Sequence, residues 1–483
     1  MKNNDKTPYL VLFIGIASIL AIFISTFGRA YAFYTSFYTT PGFNIIGREP
    51  FAMFDTGSNF RTTMNTLAGN IKYINSIERY SSPPTGVTPV HVNTENSTLP
   101  ILMWYSANTI YYYSPSDIIY LNPDSSQMIG CAVATCNISG IKSINMTGWN
   151  TSRVTNMYAM FEYTSNLDLT PSQVNNWNTS SVTNMSHMFR HSKLSMTALN
   201  LSDWNTKAVT NMSYMFDSSG IHSLDISGWN TYKVTDMSSM FNGVGQLTSF
   251  GNIENWNVTS VKNMSRMFSD IHNLGFTTLN VYNWNTHNVI NMASMFSNTT
   301  GLTTINVSNW NTYNVQSMYG MFNYASSLNQ IGTVAGTINL SNWNVKNVTN
   351  MNSMFRNTTS STLKNYYLQN WNTYKVKDMG YMFEHSRAYN YYTNNWVTTN
   401  VTSTANMFYY TNNLVHVNMY KWSLVNLSTN TSMFVASNLK NFYSPASIKA
   451  GINIMLPYTV KYSGTSYSKL NSTTPKSVLF KYS

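Results

Sequence analysis

Charge is what this chain lacks most. Of its 483 residues only 9% are charged, against about 25% in ordinary soluble domains, and Asn, Ser, Thr and Tyr supply the polarity instead. The formal net charge of +11 reflects 17 acids set against 28 bases. No run of Lys or Arg forms the basic stripe that a phosphate backbone requires, so nucleic acid is not an expected partner. Scarce carboxylates also leave little acid charge to lose, and the fold is expected to tolerate an acidic medium. Gly-rich phosphate loops and a Ser-His-Asp signature are missing. Asp203, Asp217, Asp225 and Asp236 come from neighbouring segments at different slots, which gives no carboxylate pair for acid–base work. His187 and His191 stand four apart, but "HMFRH" lacks the Glu of the metalloprotease pattern, and the two read as residues of a solvent face. No enzyme, cofactor or metal is expected. The only cysteines are Cys131 and Cys136. Outside a cell a disulfide between them is feasible across a short loop; buried free thiols are the alternative.

One long apolar run exists. Residues 10–27, "LVLFIGIASILAIFISTF", follow a leader carrying Lys2 and Lys6 and are long enough to span a bilayer, longer than a typical signal core of about 7 to 15 residues. "AYA" at 30–32 fits a cleavage site. Residues 1–32 are therefore a signal anchor or a removed signal peptide, and both export the remainder.

The body of the chain repeats. Beyond Trp104, Trp recurs at 149, 177, 204, 229, 256, 284, 310, 343, 371, 396 and 422, in steps of 25 to 28 residues with one step of 33. Twelve residues after each stands Phe, from Phe161 to Phe434, preceded every time by Met. Between units runs L-x-x-L-x-L-x-x-W, as in "IHSLDISGW", whose alternating apolar residues predict a short strand with one buried side. Val154, Met157 and Phe161 follow at helical spacing, which predicts a short helix with Thr155, Thr183 and Thr210 as caps in their units. A unit of this kind buries its apolar side only by stacking on its neighbours. Every turn then presents the same slot to the core, which explains the recurrence of Trp, Val, Met and Met-Phe. The Trp row is expected in the core, because Trp204 stands three past the inward Leu201, although an exposed stacking platform for sugars is the competing reading. Asn after nine of the eleven Trp, Asn150 to Asn372, is expected to form a ladder between loops.

Units such as "VTNMSYMF" at 209–216, joined by "LTTINVSNWNT" at 302–312, resemble the BspA-like leucine-rich-repeat surface proteins, a family abundant among mycoplasma lipoproteins. The resemblance covers residues 137 to about 442, and 109–131 resembles the segment before the repeats, with Met128-Ile129 in place of Met-Phe. It implies an exported, surface-attached protein that serves adhesion or host contact without catalysis. The chain departs from the family in lacking a lipobox Cys near the leader, in carrying Asn for much of the usual Asp, and in replacing the first Met of the last two units by Thr404 and Asn430. The expected fold is an α/β solenoid, a leucine-rich-repeat-like right-handed coil with a parallel sheet and short helices. An N-terminal membrane helix and a small non-repeat region (33–100) precede it. A cap (101–136) leads into eleven units (137–442), and a second cap (443–483) suits strands closing the sheet.

Facing outward between the strand apolars are Asn145, Asn200, Asp225, Asn280, Asn306, Asn339 and Asn418, a polar ladder on the side that solenoids use for binding; plain strand solvation is its alternative. N-x-S/T triplets include Asn96, Asn137, Asn145, Asn184, Asn200, Asn211, Asn306, Asn339 and Asn471, candidates for glycosylation in an exported protein. Two functions compete. One is a membrane-anchored adhesion or recognition scaffold for a host or neighbouring cell-surface protein or glycan. The other is a structural coat or appendage glycoprotein, viral or cellular, that self-associates.

Overall fold

The computed structural model describes residues 50–132, 138–192, 199–245, 247–272, 275–428 and 432–482. The apolar run 10–27, Cys136, Asn137 and Asn430 lie outside them. No helix among the described residues is long and apolar enough to cross a membrane.

Each repeat is one coil of a solenoid. The alternating apolar residues make strands of two or three residues whose inward side chains, Leu224, Leu279 and Ile305 among them, are buried. Leu199–Asn200 pairs with Leu224–Asp225 in parallel. From Thr278–Asn280 onward, eight parallel strands run without a break to Asn441–Tyr443. Three antiparallel strands, Leu479–Tyr482, Ile454–Tyr462 and Thr465–Leu470, continue the same sheet. The 33-residue step has a simple cause. Gln330–Ile331 is an additional strand inserted between Thr304–Asn306 and Thr337–Asn339.

The other side of the coil corrects the sequence reading. Among the described residues the segment V-x-x-M-x-x-M-F is helical in no unit; it is a run of turns. The residue ten past each repeat Trp, from Ala159 to Ser432, has φ between 53° and 60°, and the residue fourteen past, from Tyr163 to Ala436, has φ between 51° and 67°. A left-handed residue at every fourth position prevents helix propagation, while inward spacing of the apolar side chains still imitates a helix. Amide hydrogens that a helix would spend internally go to the next coil: Met157 N donates to Asn184 O at 2.9 Å, Ala159 N to Ser186 O at 3.0 Å, and Phe161 N to Met188 O at 2.9 Å. Nor do Thr155, Thr183 and Thr210 cap helices. Their hydroxyls donate to Pro123 O, Thr155 O and Thr183 O on the preceding coil at 3.1–3.2 Å. A parallel bridge at the residue seven past Trp runs from Asp124 through Asn156, Asn184 and Asn211 to Ser403.

Residues 50–130 cover the amino-terminal end. The helix Gly57–Ala68 starts at Thr56, whose hydroxyl accepts from Asn59 N, and stops at Gly69 with φ 70°, where a left-handed residue is needed. The strand Ser76–Arg79 lies between Thr109–Tyr113 and Ser143–Ile144, in parallel with both. Ile129 N donates to Met160 O at 3.1 Å, so Met128-Ile129 does lie alongside the first Met-Phe. A single apolar core runs from Ala52 to Phe480.

Candidate functional site

The indoles are interior. All repeat Trp from Trp177 onward are buried, and only Trp149, at the amino end, is half-buried. Trp177 to Trp343 form one stacked column and Trp371 to Trp422 another, with centroids 5.6–6.4 Å apart and planes within 7°. The Phe column is continuous from Phe161 to Phe434 at 5.3–5.8 Å. These spacings are those of offset stacks. A buried indole N–H needs an acceptor, and from Trp204 onward all but one find it on the preceding coil: Trp204 donates to Val174 O, Trp229 to Leu201 O and Trp284 to Ile253 O, at 2.7–3.0 Å. Trp256 is the exception, its Nε1 buried without a partner. A sugar platform made of these rings is therefore ruled out.

The Asn after nine of the Trp is not the general link between coils; among the described residues only the Asn311 side chain reaches across, its Nδ2 3.2 Å from His287 Nδ1. The Oδ1 of this Asn accepts the amide two residues on, as Asn178 does from Ser180 N and Asn230 from Tyr232 N, both at 3.1 Å, closing its own turn. The link between coils belongs to the next residue. Buried Thr151, Thr179, Thr206, Thr231, Thr286 and Thr312 each donate to a carbonyl one coil on, at 2.9–3.2 Å. A true amide ladder lies four past Trp: Asn288, Asn314, Asn347, Asn400 and Asn426 donate from Nδ2 to Thr259 O, His287 O, Tyr313 O, Tyr374 O and Thr399 O, at 2.7–2.8 Å.

The candidate site is the strand face. Asn200 lies beside Asp225, and Asn280 beside Asn306, whose Nδ2 donates to Asn280 Oδ1 at 3.2 Å. The inserted strand separates Asn306 from Asn339. Asn145 precedes this run, and Asn418 follows it beside Tyr443. At five of these strand ends Oδ1 closely holds the amide two residues ahead: Asn145 holds that of Thr147, Asn200 of Ser202, Asp225 of Ser227, Asn339 of Ser341 and Asn418 of Tyr420. Turn closure thus accounts for why Asn or Asp recurs here. At the carboxy-terminal end tyrosine takes over the row. Tyr367 and Tyr392 stack at 4.8 Å with planes 1° apart, and Tyr443 meets the exposed Tyr420 edge to face at 6.0 Å. The sequence shows this only as an unusual "NYY" at 365–367 and 390–392.

Spacing along the chain also conceals a second feature, in which charge gathers on the turn face. Arg190 donates to Glu162 Oε1 at 2.9 Å and to Asp217 Oδ2 at 2.8 Å, joining three successive coils. Its guanidinium lies 5.8 Å and 5.4 Å from the Tyr163 and Tyr214 rings. Burial alone would lower the Arg190 pKa, but the two carboxylates outweigh it and hold it above its ordinary value. The arrangement recurs at Arg356, which bonds Glu384 Oε2 and lies 5.9 Å and 5.4 Å from the Tyr324 and Tyr381 rings. Neither histidine is an idle surface residue. His187 Nδ1 is 3.2 Å from the fully buried Glu162 carboxylate, and His191 stacks on Tyr163 at 4.8 Å. Burial, with Arg190 beside it, lowers the His191 pKa. Asp203 and Asp236 stand apart from this cluster, Asp236 in the bridge row. Among the described residues no three His, Cys, Asp or Glu side chains gather as a metal site.

Cys131 is disulfide-bonded, and the chain's other cysteine, Cys136, lies outside the described residues. Of the candidate glycosylation residues, Asn96, Asn200 and Asn339 are exposed; Asn145, Asn184, Asn211, Asn306 and Asn471 are half-buried.

The repeats carry a known signature. The family described as "Mycoplasma protein of unknown function, DUF285" matches residues 131–250, 245–334 and 331–444. The chain belongs to this family. Three consecutive DUF285 matches thus cover the coils from the disulfide to the last strands before the antiparallel end. No curated protein and no solved structure matches the chain.

Proposed function

We propose that the chain is an exported surface protein, held at a membrane by residues 10–27, whose solenoid is an adhesion or recognition scaffold of the BspA-like leucine-rich-repeat kind, coiled right-handedly. The observation that carries this reading is the strand face, where a row of Asn and Asp gives way to stacked tyrosines. Tyrosine supplies rigid amphipathic contact area and asparagine adaptable hydrogen bonding, the combination that recognition surfaces favour. The partner is a glycan or protein on a host or neighbouring cell. Asn96, Asn200 and Asn339, being exposed, are the first candidates for glycosylation, and sugars on the last two would cover part of the face. Purified protein lacking its leader is expected to bind saturably on a cell and glycan panel. The pair Tyr367→Ala and Tyr392→Ala, with melting unchanged, is expected to weaken that binding at least tenfold; unaltered binding overturns the assignment of the face. Recovery of the intact chain in the soluble fraction of its own cells would overturn the anchor.

One observation favours the coat reading. Thr465–Leu470 is the outermost strand of the sheet, and an open edge is a template for a second copy. Concentration-dependent fibres or sheets without ligand, abolished by a proline in that strand, are its test.

A further inference from the structure

Positions two to six past each Trp form the edge between the strand face and the turn face, and no Asp or Glu occupies any of them in the eleven coils. Six exposed lysines do: Lys207, Lys233, Lys262, Lys346, Lys375 and Lys377. In a chain with so few charges this concentration of one sign is notable, and the fold creates it, since the lysines are scattered over five of the eleven repeats, one or two in each. Backbone bonds at 2.8–2.9 Å, from Thr210 N to Thr183 O through Lys262 N to Thr235 O and Lys377 N to Thr349 O, hold the rows in line, which spaces successive coils about 4.8 Å apart. Tyr232, Tyr313 and Tyr374, all exposed, project between the lysines. Lys375 and Lys377 also line an open groove with Thr349, Asn400, Thr402 and Asn426.

We infer that this lysine edge binds an extended acidic polysaccharide, one bearing sulfates or carboxylates together with free hydroxyls. Charge alone would suit any polyanion, and the asparagines decide between them. The amide ladder uses Nδ2 on the preceding coil, so Asn288, Asn314, Asn400 and Asn426 keep Oδ1 with no protein partner among the described residues. Asn288 and Asn314 lie on the coils between Lys262 and Lys346, Asn400 and Asn426 on those after Lys377, and Asn347 Oδ1 accepts from Lys375 Nζ at 2.7 Å; such acceptors beside the ammonium groups repel a phosphate backbone, which offers acceptors only. They complement a sugar chain, whose hydroxyls donate to Oδ1 while its anions meet Nζ. Exposed tyrosine rings supply apolar faces for the sugar rings. The inference rests on the surface-protein reading above only in placing the edge outside a cell.

The test is binding of heparin by the full chain at about 150 mM salt, beside neutral dextran and single-stranded DNA of matched charge. Heparin is expected to bind with an affinity that falls steeply with salt, DNA at least tenfold more weakly, and dextran not at all. Lys375→Gln with Lys377→Gln is expected to reduce heparin binding at least fivefold, and adding Lys207→Gln, Lys233→Gln and Lys262→Gln to abolish it, with thermal melting unchanged. Lys→Arg at the same sites retains it. Heparin binding equal in the five-site Gln variant, or DNA binding equal to heparin, overturns the inference. Tyr367→Ala with Tyr392→Ala leaves heparin binding intact, so failure of the strand-face proposal is read separately.

Discussion

The two long faces of the coil obey different rules. On the strand face the second repeat has a helical turn, Pro171–Val174, in place of a strand; the fifth has a 3-10 turn, Ile253–Asn255; and the seventh is followed by the additional strand Gln330–Ile331. On the turn face all eleven coils keep the left-handed residues and the Phe stack. A parallel strand requires only an extended backbone and one inward apolar residue, so it accepts substitutes. The turn face fixes two positive φ values, an aromatic stack and an alternation of hydrogen bonds within each coil, and a change to any one disturbs the others. The coil is therefore defined by its turn side.

The largest test of that contrast sets Phe268→Ala against deletion of residues 330–336. Phe268 is fully buried between Phe241 and Phe296, and its loss is expected to cost about 3–5 kcal/mol. The deletion removes the inserted strand and lets Thr337 take the pairing of Gln330 with Thr304; it is expected to cost less in urea unfolding. A deletion mutant that fails to fold breaks the comparison.

Within the turn face, Arg190→Met leaves the fully buried Glu162 and the buried Asp217 without their cation and is expected to cost about 3–5 kcal/mol. Arg356→Met is expected to cost less, because the residue in Glu162's place is the neutral Asn323. Equal losses in parallel denaturation curves would remove the role assigned to the second carboxylate.

Next come the indoles. Trp284→Phe removes the indole bond to the Ile253 carbonyl, which still accepts the Trp256 amide at 3.1 Å, and Trp256→Phe removes no bond, since its Nε1 has no acceptor. The first is expected to cost about 0.5–1.5 kcal/mol more than the second, the net worth of one hydrogen bond. The buried Thr286 hydroxyl donates to Asn311 O at 3.0 Å, so Thr286→Val is expected to cost about 0.5–1.5 kcal/mol by calorimetry. Val258 and Val345 occupy the same slot, which keeps this effect modest.

The smallest effect is on pH. Burial lowers the pKa of both His191 and His416. The folded state then favours neutral imidazole, and the unfolded chain takes up protons first as pH falls past the ordinary histidine value. Stability from these groups is present above that value and is lost as pH drops toward their lower folded values. Urea midpoints at pH 8 and pH 5 should show this decline, and His191→Gln with His416→Gln should flatten it. A steep fall that survives both changes would count against the expected tolerance of acid.

The sequence by itself determined the number of coils, their boundaries, the buried Trp, Met and Phe columns and the short strands, because stacked coils impose one slot pattern and the pattern is written in residue type. It misread V-x-x-M-x-x-M-F as helix, since inward spacing looks alike whether amides bond within a turn or to the next coil. It also took the Asn after Trp for the link between coils, where the following Thr provides it. Only the tertiary structure decided what lies side by side: Glu162, Arg190 and Asp217 on one site, Tyr367 on Tyr392, and six dispersed lysines along one edge. The first two groups have members 25 to 28 residues apart along the chain and the lysines spread from 207 to 377, and nothing short of the stacking itself brings them together.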